Sequence, residues 1–373
     1  MRIIVDRSQF LKSLGHVHRV VERRNTIPIL ANILINARNN QVELKATDLD
    51  LEVTEITTAS IEKAGGTTVP AQLLYDIMRK LPEGSQVALC LEDDGKAMAA
   101  VAGHANFRLQ ALPIDDFPQT KSVDFSHSFL VPAAGLKRLL DATHFAISTE
   151  ETRYYLTGIY FHVVEEEGRT YLRMVAADGH RLAQAQIEAP IGSEGMKGVI
   201  IPRKTVHELQ KLLGEEGDSD VRIDLSEGTI RLHVGAVILV SKLIDGTFPE
   251  YQKIIPISNS KEMVIDRQSL VAAVDRVAIL ASDRGRAIKL SLTSGQLRLL
   301  VDNPESGHAE DQLPVEYTDA AFDIGFNSRY LLDIIMQLSG DEAVFSFGEP
   351  MAPCLIRGKD SLQALYVLMP MRI

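Results

Sequence analysis

Two short acidic runs are the parts of this sequence that could do chemistry. Asp178, Gly179 and His180 would place a carboxylate beside an imidazole, as acid-base catalysis requires, and Asp48 and Asp50 alternate on a strand, where both could bind one metal ion. The sequence has no glycine-rich phosphate loop, GxSxG motif or HExxH motif to support either activity. Asp-Gly-His is far more often a turn, and alternating aspartates are usually a solvated strand face. We therefore expect no enzyme activity, no catalytic residues, no metal and no cofactor.

The composition is that of a globular protein with an excess of acidic residues. The 373 residues include 39 Lys and Arg against 50 Asp and Glu, a net charge of −11. This balance argues against a protein that coats nucleic acid with its whole surface, although a basic patch can lie inside an acidic shell. Cys90 and Cys354 have neither disulfide nor zinc spacing. The sequence has no signal peptide and no apolar stretch near the roughly 20 residues of a membrane span, so we expect a soluble, cytoplasmic protein.

The positions of the predicted helices show that the sequence contains three repeats. Apolar residues recur at steps of three and four, the period of an amphipathic helix, in three pairs of segments. The predicted helices cover residues 8–24, 71–81, 133–147, 203–213, 267–280 and 328–338. The second helix of each pair follows Pro70 or Pro202, or has Asn327 as its N-cap. We therefore predict three similar domains, with boundaries at 1–125, 126–256 and 257–373.

Alternating strand-like runs lie between these helices and end in turn residues. The clearest runs are 42–56, 171–187 and 297–313. The expected hairpin turns are Asp93-Asp94-Gly95, Glu227-Gly228 and Ser294-Gly295. Linkers between repeats are expected near 119–128 and 250–261. Each repeat is therefore predicted to combine two helices with hairpins of β-strands.

The predicted helices carry most of the positive charge. They hold fourteen basic and six acidic residues, a net charge of about +8, so the rest of the chain carries about −19. A single basic helix would usually be an ordinary solvated helix face. Six basic helices in an otherwise acidic chain favour a basic surface built of helices. The sequence has no tryptophan and only 6% aromatic residues, which argues weakly against binding by base stacking.

The diameter of a helix limits what such a surface could enclose. Six helices of about 10–12 Å diameter in a closed ring leave a hole of only about 9–11 Å, whereas twelve leave about 28–34 Å. Duplex DNA is roughly 20 Å wide. If the helices line a channel, one chain cannot surround DNA but a dimer can. Lysine and arginine there would contact phosphates without reading bases.

Several short motifs match one known family. They are Arg153-Tyr154-Tyr155-Leu156, Asp178-Gly179-His180-Arg181-Leu182, Asp245-Gly246-Thr247-Phe248-Pro249-Glu250-Tyr251, Gly325-Phe326-Asn327 and Met369-Pro370-Met371-Arg372. In this order and spacing the chain resembles the bacterial DNA polymerase III beta subunit, the sliding-clamp family, over essentially its whole length. The resemblance implies an α+β fold of three DNA-clamp domains, each with two helices facing a central channel and antiparallel sheets outside, in a head-to-tail dimeric ring. It also implies a non-catalytic processivity factor that encircles double-stranded DNA without sequence preference. Its implied partners are the polymerase III alpha subunit, the clamp-loader delta subunit and other clamp-motif proteins.

The resemblance further implies a partner-peptide cleft between the second and third domains. An apolar groove that contains methionine can repack around several peptides. The matching residues are Leu156, Gly179, His180, Arg181, Leu182, Pro249, Ile254, Tyr330, Met351, Val367, Leu368, Met369, Pro370, Met371 and Arg372. Taken singly, the aliphatic residues among them would be ordinary core, while Arg181 and Arg372 could fix polar groups at the rim. Ala177 replaces a usual threonine, which bears on partner preference.

For DNA, the resemblance points to Arg24 in one loop and to Tyr154 and Tyr155 in another. The basic helix residues complete the expected DNA-binding set: Lys12, Arg79, Lys137, Arg138, Arg203 and Lys204. The alternatives are that Arg24 is a solvated turn residue and Tyr154 a packed aromatic. A scaffold that never touches DNA would share the cleft but would not need the basic channel.

For the dimer contact, the resemblance pairs Phe107 and Leu109 of one copy with Ile279 and Leu280 of the other. Glu310 and Asp311 would supply the acidic side. Uncharged residues replace charges common in the family on both sides of this contact. They are His104, Asn106, Gly307 and His308. We therefore expect a dimer that depends little on salt concentration.

Overall fold

Six α-helices form where the apolar periodicity predicts them. The structure is a computed structural model that describes residues 1–22, 26–119, 123–215, 219–282, 285–361 and 363–372. Within these ranges the helices are α1 (Arg7–Val17), α2 (Ala71–Lys80), α3 (Ala133–Thr143), α4 (Arg203–Glu215), α5 (Arg267–Ala278) and α6 (Ser328–Gln337). The carboxylate of Asp6 and the side-chain oxygen of Asn327 accept hydrogen bonds from the first-turn amides of α1 and α6, so the predicted N-cap at Asn327 is confirmed.

The first helix is shorter than the predicted span 8–24. It ends at Val17 and is followed by a 3₁₀ turn over His18–Val20, after which Val21 is extended. Three of the residues between 17 and 21 are the β-branched Val17, Val20 and Val21, which disfavour an α-helix. Among the described residues, no helix is both long enough and apolar enough to cross a membrane.

The strands form four antiparallel sheets. Their bounds are β1 (Arg2–Asp6), β2 (Asn32–Arg38), β3 (Gln41–Thr47), β4 (Leu51–Thr58), β5 (Ser60–Lys63), β6 (Gly65–Pro70), β7 (Gln86–Leu91), β8 (Ala97–Ala102), β9 (Ala105–Gln110), β10 (His127–Pro132), β11 (Gly158–Glu166), β12 (Arg169–Ala177), β13 (Arg181–Glu188), β14 (Val199–Pro202), β15 (Asp220–Leu225), β16 (Thr229–Val234), β17 (Val237–Lys242), β18 (Lys261–Asp266), β19 (Ala287–Thr293), β20 (Gln296–Asn303), β21 (Gly307–Pro314), β22 (Phe322–Asn327), β23 (Glu342–Phe347), β24 (Cys354–Gly358) and β25 (Ala364–Leu368). The three runs predicted as strands are the hairpins β3–β4, β12–β13 and β20–β21. Gly95 and Gly295 have φ of 71° and 76° in their turns, a conformation that glycine adopts without strain.

The chain folds into two compact units. Unit 1 comprises residues 1–134, 190–193 and 204–243, and unit 2 comprises 135–189, 194–203 and 244–373. Unit 1 contains a five-stranded sheet, β5-β1-β7-β8-β9, and an eight-stranded sheet, β10-β15-β16-β17-β4-β3-β2-β6. Unit 2 contains an eight-stranded sheet, β14-β11-β12-β13-β25-β24-β23-β18, and a four-stranded sheet, β21-β20-β19-β22.

Each eight-stranded sheet is shared by two successive repeats. In unit 1, β4 of the first repeat pairs with β17 of the second, with Val53 opposite Leu239. In unit 2, β13 of the second repeat pairs with β25 of the third, with Leu182 opposite Val367. The corresponding strands β21 and β9 are edge strands of the two smaller sheets. Strands of successive repeats therefore join into one sheet, which explains why the chain groups into two units rather than three.

A buried histidine in unit 1 bridges two glutamates. Nδ1 of His16 lies 2.7 Å from Oε2 of Glu55, and Nε2 lies 2.7 Å from Oε2 of Glu215. The Ser13 hydroxyl donates to the other Glu55 oxygen at 2.8 Å. Burial alone would lower the pKa of His16, but the hydrogen bonds to both glutamates outweigh it, so the pKa is raised. Since α1, β4 and α4 each supply one of these groups, His16 fastens two helices and a strand together.

We expect His16→Gln to destabilise unit 1 more at acid than at alkaline pH. Because folding raises the pKa of His16, its stabilisation is complete below the unfolded pKa and is lost as the pH rises through the folded pKa. The variant should lose about 1–2 kcal/mol of unfolding free energy near pH 6 and less near pH 9, as measured by urea denaturation. His104→Gln, an exposed residue in the same unit, is the control. An equal loss at both pH values would contradict the bridge.

Candidate functional site

The predicted cleft residues of unit 2 divide into a buried floor and an exposed rim. Leu156, Leu182 and Val367 pack in one apolar cluster with Val175, Ile200, Phe248 and Tyr251. Leu368 is also buried. The large apolar side chains exposed around this floor are Ile254, Met351 and Met369. This arrangement can accept apolar side chains from outside because its rim residues are partly exposed.

The C-terminal segment is a central part of this site. β25 lies between β13 and β24, so Val367 and Leu368 are not on an edge strand. Beyond the strand, the amide of Met369 donates to the His180 carbonyl at 2.9 Å, and the amide of Met371 donates to the Gly325 carbonyl at 2.8 Å. These two bonds tie the segment after β25 to the turn before β13 and to β22.

The run Asp178-Gly179-His180 is a turn, as expected. One carboxylate oxygen of Asp178 accepts from the amides of His180 and Arg181 at 2.9 and 3.0 Å. Gly179 has φ of 90°, and a β-carbon at this position would lie 2.5 Å from Nη1 of Arg153. The backbone conformation favours glycine, whereas the flexible end of the Arg153 side chain could move aside. The His180 ring stacks on Tyr330 with centroids 5.9 Å apart rather than pairing with Asp178.

Arg181 is the most highly connected side chain of the site, with 8% of it exposed. It donates from Nε to Asp178 at 3.0 Å, from Nη1 to Asp333 at 2.6 Å and from Nη2 to the Phe145 carbonyl at 2.7 Å. Its guanidinium also lies 4.3 Å from the centre of the Tyr330 ring. The sequence predicts that Arg181 could hold polar groups of a partner at the rim. Its nitrogens are instead committed to the turn before β13, to α6 and to the chain near Phe145, so its geometry is that of a support for the cleft.

Arg372 is exposed at the end of this segment, as a rim residue should be. Pro249 is exposed too, and Pro370 is half-buried. The turn that carries Met351 and Pro353 is held by Asn259, whose amide nitrogen donates to the carbonyls of Ser346 and Pro353 at 2.8 and 3.0 Å. All predicted cleft residues therefore belong to unit 2 and lie within its described parts.

The predicted DNA-contact residues fall into two groups. Lys204 binds the Val20 carbonyl at 3.0 Å and pairs with Asp48 and Glu22. Arg79 and Lys137 form ion pairs within their own helices, with Asp76 and Asp141 respectively. By contrast, three exposed bases form no ion pair within 4.0 Å among the described residues: Lys12, Arg138 and Arg203. These three are the most available for phosphates.

The two loop tyrosines differ in exposure. Tyr154 is 53% exposed and is therefore not a packed aromatic, whereas Tyr155 packs against the apolar cluster of the cleft. Their rings meet edge to face with centroids 5.7 Å apart. Arg24 lies outside the described residues.

The structure corrects one residue of the predicted dimer contact. Leu109 is 1% exposed, because its position on β9 turns its side chain into the core of unit 1. Only its backbone could take part in a contact. Phe107 is half-buried and Ile279 is exposed, while Glu310 and Asp311 already pair with Arg298 and Arg276 of their own chain. Leu280 is half-buried.

Three residues that support the site were not predicted from the sequence. Asp333 and Arg173 bond to residues that are distant in sequence, and no spacing signals either. Tyr251 ends one of the family motifs, and an aromatic residue at the end of a turn is a signal for an anchor. Within the described residues, no group of three or more His, Cys, Asp or Glu is arranged to hold a metal ion.

Comparisons with known proteins agree over the full length of the chain. Family models described as the N-terminal, central and C-terminal domains of the DNA polymerase III beta subunit match residues 1–121, 130–250 and 252–372. The beta sliding clamp of Caulobacter vibrioides (strain NA1000 / CB15N) is 45% identical over 373 residues and that of Escherichia coli (strain K12) 38% identical over 375, with 100% of each chain covered.

Solved structures give the same result. A sliding clamp from Bartonella birtlesii bound to griselimycin is 60% identical with a TM-score of 0.97, and the Caulobacter crescentus beta sliding clamp with bound PEG is 45% identical with a TM-score of 0.96; both comparisons cover 100% of each chain. The chain therefore belongs to the DNA polymerase III beta subunit family and is a DNA sliding clamp of DNA replication.

Proposed function

We propose that this clamp encircles duplex DNA as a head-to-tail homodimeric ring and tethers replicative and repair polymerases through the cleft of unit 2. It has no catalytic role of its own and works in the cytoplasm, and its three domains are 1–125, 126–256 and 257–373. The observation that carries the proposal is that β9 and β21 are edge strands, although the equivalent strands pair with each other at the two repeat junctions within the chain.

The sheet topology supports the ring. Where repeats meet within the chain, β4 pairs with β17 and β13 pairs with β25, both antiparallel. The strands in the third equivalent position, β21 and β9, are free at sheet edges. Such edges are normally covered, and a second copy offers the matching strand at each. Such a head-to-tail contact covers these edges in both copies when it closes as a ring. Two copies bring twelve helices, enough for a channel of about 28–34 Å.

The cleft supplies the partner site. Its floor and rim match the chemistry of a short peptide that carries bulky apolar side chains. The polymerase III alpha subunit, the clamp-loader delta subunit and other clamp-motif proteins are the partners we assign to it. The Bartonella relative was solved with griselimycin bound. We expect griselimycin to bind the cleft of this chain, which makes it a probe of the site.

The ring is tested by light scattering at low micromolar concentration in about 0.1 M and about 1 M salt. We expect twice the chain mass of 41.1 kDa in both, because the contact is strand pairing with few charges. The dimer should then stay on closed circular DNA and slide off after linearisation. A monomer in both salts would contradict encirclement, and a dimer only at low salt would contradict the weakly ionic contact.

A further inference from the structure

We infer that Arg173, His162 and Tyr251 form a buried assembly that positions the cleft wall carrying Pro249 and Ile254. The inference rests on the proposed cleft, and it assigns roles to residues on the side of the wall away from the ligand. None of the three is itself a rim residue, because Arg173 is 1% exposed and the other two are also buried.

The guanidinium of Arg173 fixes the Tyr251 hydroxyl. Nη1 donates to this oxygen at 3.0 Å. Nε donates to the side-chain oxygen of Gln186 at 2.8 Å, and Nη2 pairs with Glu166 at 2.5 Å. The buried positive charge is therefore balanced and its direction is fixed, as a buried ion requires. A bond from a charged donor is stronger than a neutral one and holds the hydroxyl in place.

His162 fixes the same hydroxyl from the other side. Its Nε2 lies 3.0 Å from the hydroxyl oxygen. Burial and the positive charge of Arg173 lower the pKa of His162 to about 4, so the imidazole is neutral at physiological pH. The hydroxyl accepts from Arg173 and forms a second hydrogen bond with Nε2 of His162, so two groups fix its position. Tyr160 stacks on His162, with centroids 4.3 Å apart, and on Phe248, with centroids 5.0 Å apart.

Tyr251 connects its fixed hydroxyl to the cleft wall through its backbone. Its amide donates to the Pro249 carbonyl at 2.7 Å, and its carbonyl accepts from the Ile254 amide at 2.9 Å. Pro249 and Ile254 are exposed, Ile254 to 42%. The Tyr251 ring also belongs to the apolar cluster that forms the cleft floor. Apolar packing alone is not directional. The two hydrogen bonds at the Tyr251 hydroxyl therefore fix the position of the wall relative to the floor.

The test is Tyr251→Phe, which removes only the hydroxyl, with Tyr171→Phe on β12 as the matched control. Griselimycin affinity of the full-length protein, measured by calorimetry, should fall about three- to tenfold for Tyr251→Phe and stay unchanged for Tyr171→Phe. In an Ile254→Ala background the same substitution should change affinity by less than about twofold, because its effect passes through Ile254. A merely structural role would lower the melting temperature without this coupling.

Equal losses in both backgrounds, or an unchanged affinity, would overturn the inference. Hydrogen exchange of the amides of residues 250–254 in the ligand-free protein is a second readout, and Tyr251→Phe should speed it. Unchanged exchange would also overturn the inference, whether or not griselimycin binds. His162→Phe, which keeps the stack on Tyr160, should give a smaller change of the same sign. Failure of the native protein to bind griselimycin would count against the proposed cleft alone, since the exchange experiment is independent of it.

Discussion

Arg181→Met is expected to destroy the cleft while leaving the dimer intact. The substitution removes the side-chain donor to one carboxylate oxygen of Asp178, to Asp333 and to the Phe145 carbonyl. It also removes the cation that lies over the ring of Tyr330. Removing one partner of a buried ion pair costs about 3 kcal/mol or more, because the remaining charge stays buried and unpaired. We expect a loss of unfolding free energy of that size. We also expect griselimycin affinity to fall at least about 100-fold, which corresponds to about 2.7 kcal/mol of binding free energy.

Denaturation and calorimetry measure the two effects separately. Arg169→Met, an exposed arginine on β12 in the same unit, is the control and should change neither. If Arg181→Met weakened binding but left unfolding unchanged, Arg181 would contact the ligand directly, which would contradict the supporting role. Double replacement with Asp333→Asn should cost less than the sum of the two single changes, because the asparagine no longer leaves a buried charge.

The sequence was sufficient to predict the local elements of this fold. Proline and asparagine at helix starts, and apolar residues spaced three and four apart, depend only on neighbours within one turn. The starts of α2, α4 and α6 were therefore predictable. The hairpins β3–β4, β12–β13 and β20–β21 were also predictable, because their strands are close in sequence. The end of α1 was not, since the valines after Val17 compete with an apolar pattern that continues.

Pairing across repeats could not be predicted in the same way. Val53 faces Leu239, and nothing local to either residue specifies the other. The same limit applied to the site. Arg181 was identified from a motif, but Asp333, its partner 152 residues away, was not, and so its role as a support was missed. The resemblance places Leu109 beside Phe107 at the dimer contact, whereas the sheet places its side chain in the core.

The last prediction concerns the bases with no ion-pair partner among the described residues. Lys12, Arg138 and Arg203 lie on three different helices. Replacing each of them with Glu would put a negative charge where a phosphate is expected. Each phosphate contact adds about 0.9 to the slope of log affinity against log salt. Two copies of three residues supply at most six contacts. The triple variant should therefore flatten this slope by up to about five and weaken duplex binding at low salt by at least about 100-fold.

The choice of residues makes this prediction discriminating. A control triple, Lys63→Glu, Lys96→Glu and Arg169→Glu, makes the same change in net charge at exposed positions outside the helices and should leave the slope almost unchanged. Lys204→Met should lower the unfolding free energy more than it lowers DNA affinity, because its ammonium group is committed to Val20 and Asp48. Dimer mass and griselimycin binding should be unchanged in the triple variant. If the triple variant of Lys12, Arg138 and Arg203 bound DNA as the native protein does, the helices would not face the duplex. A scaffold that holds partners without touching DNA would then be the better description.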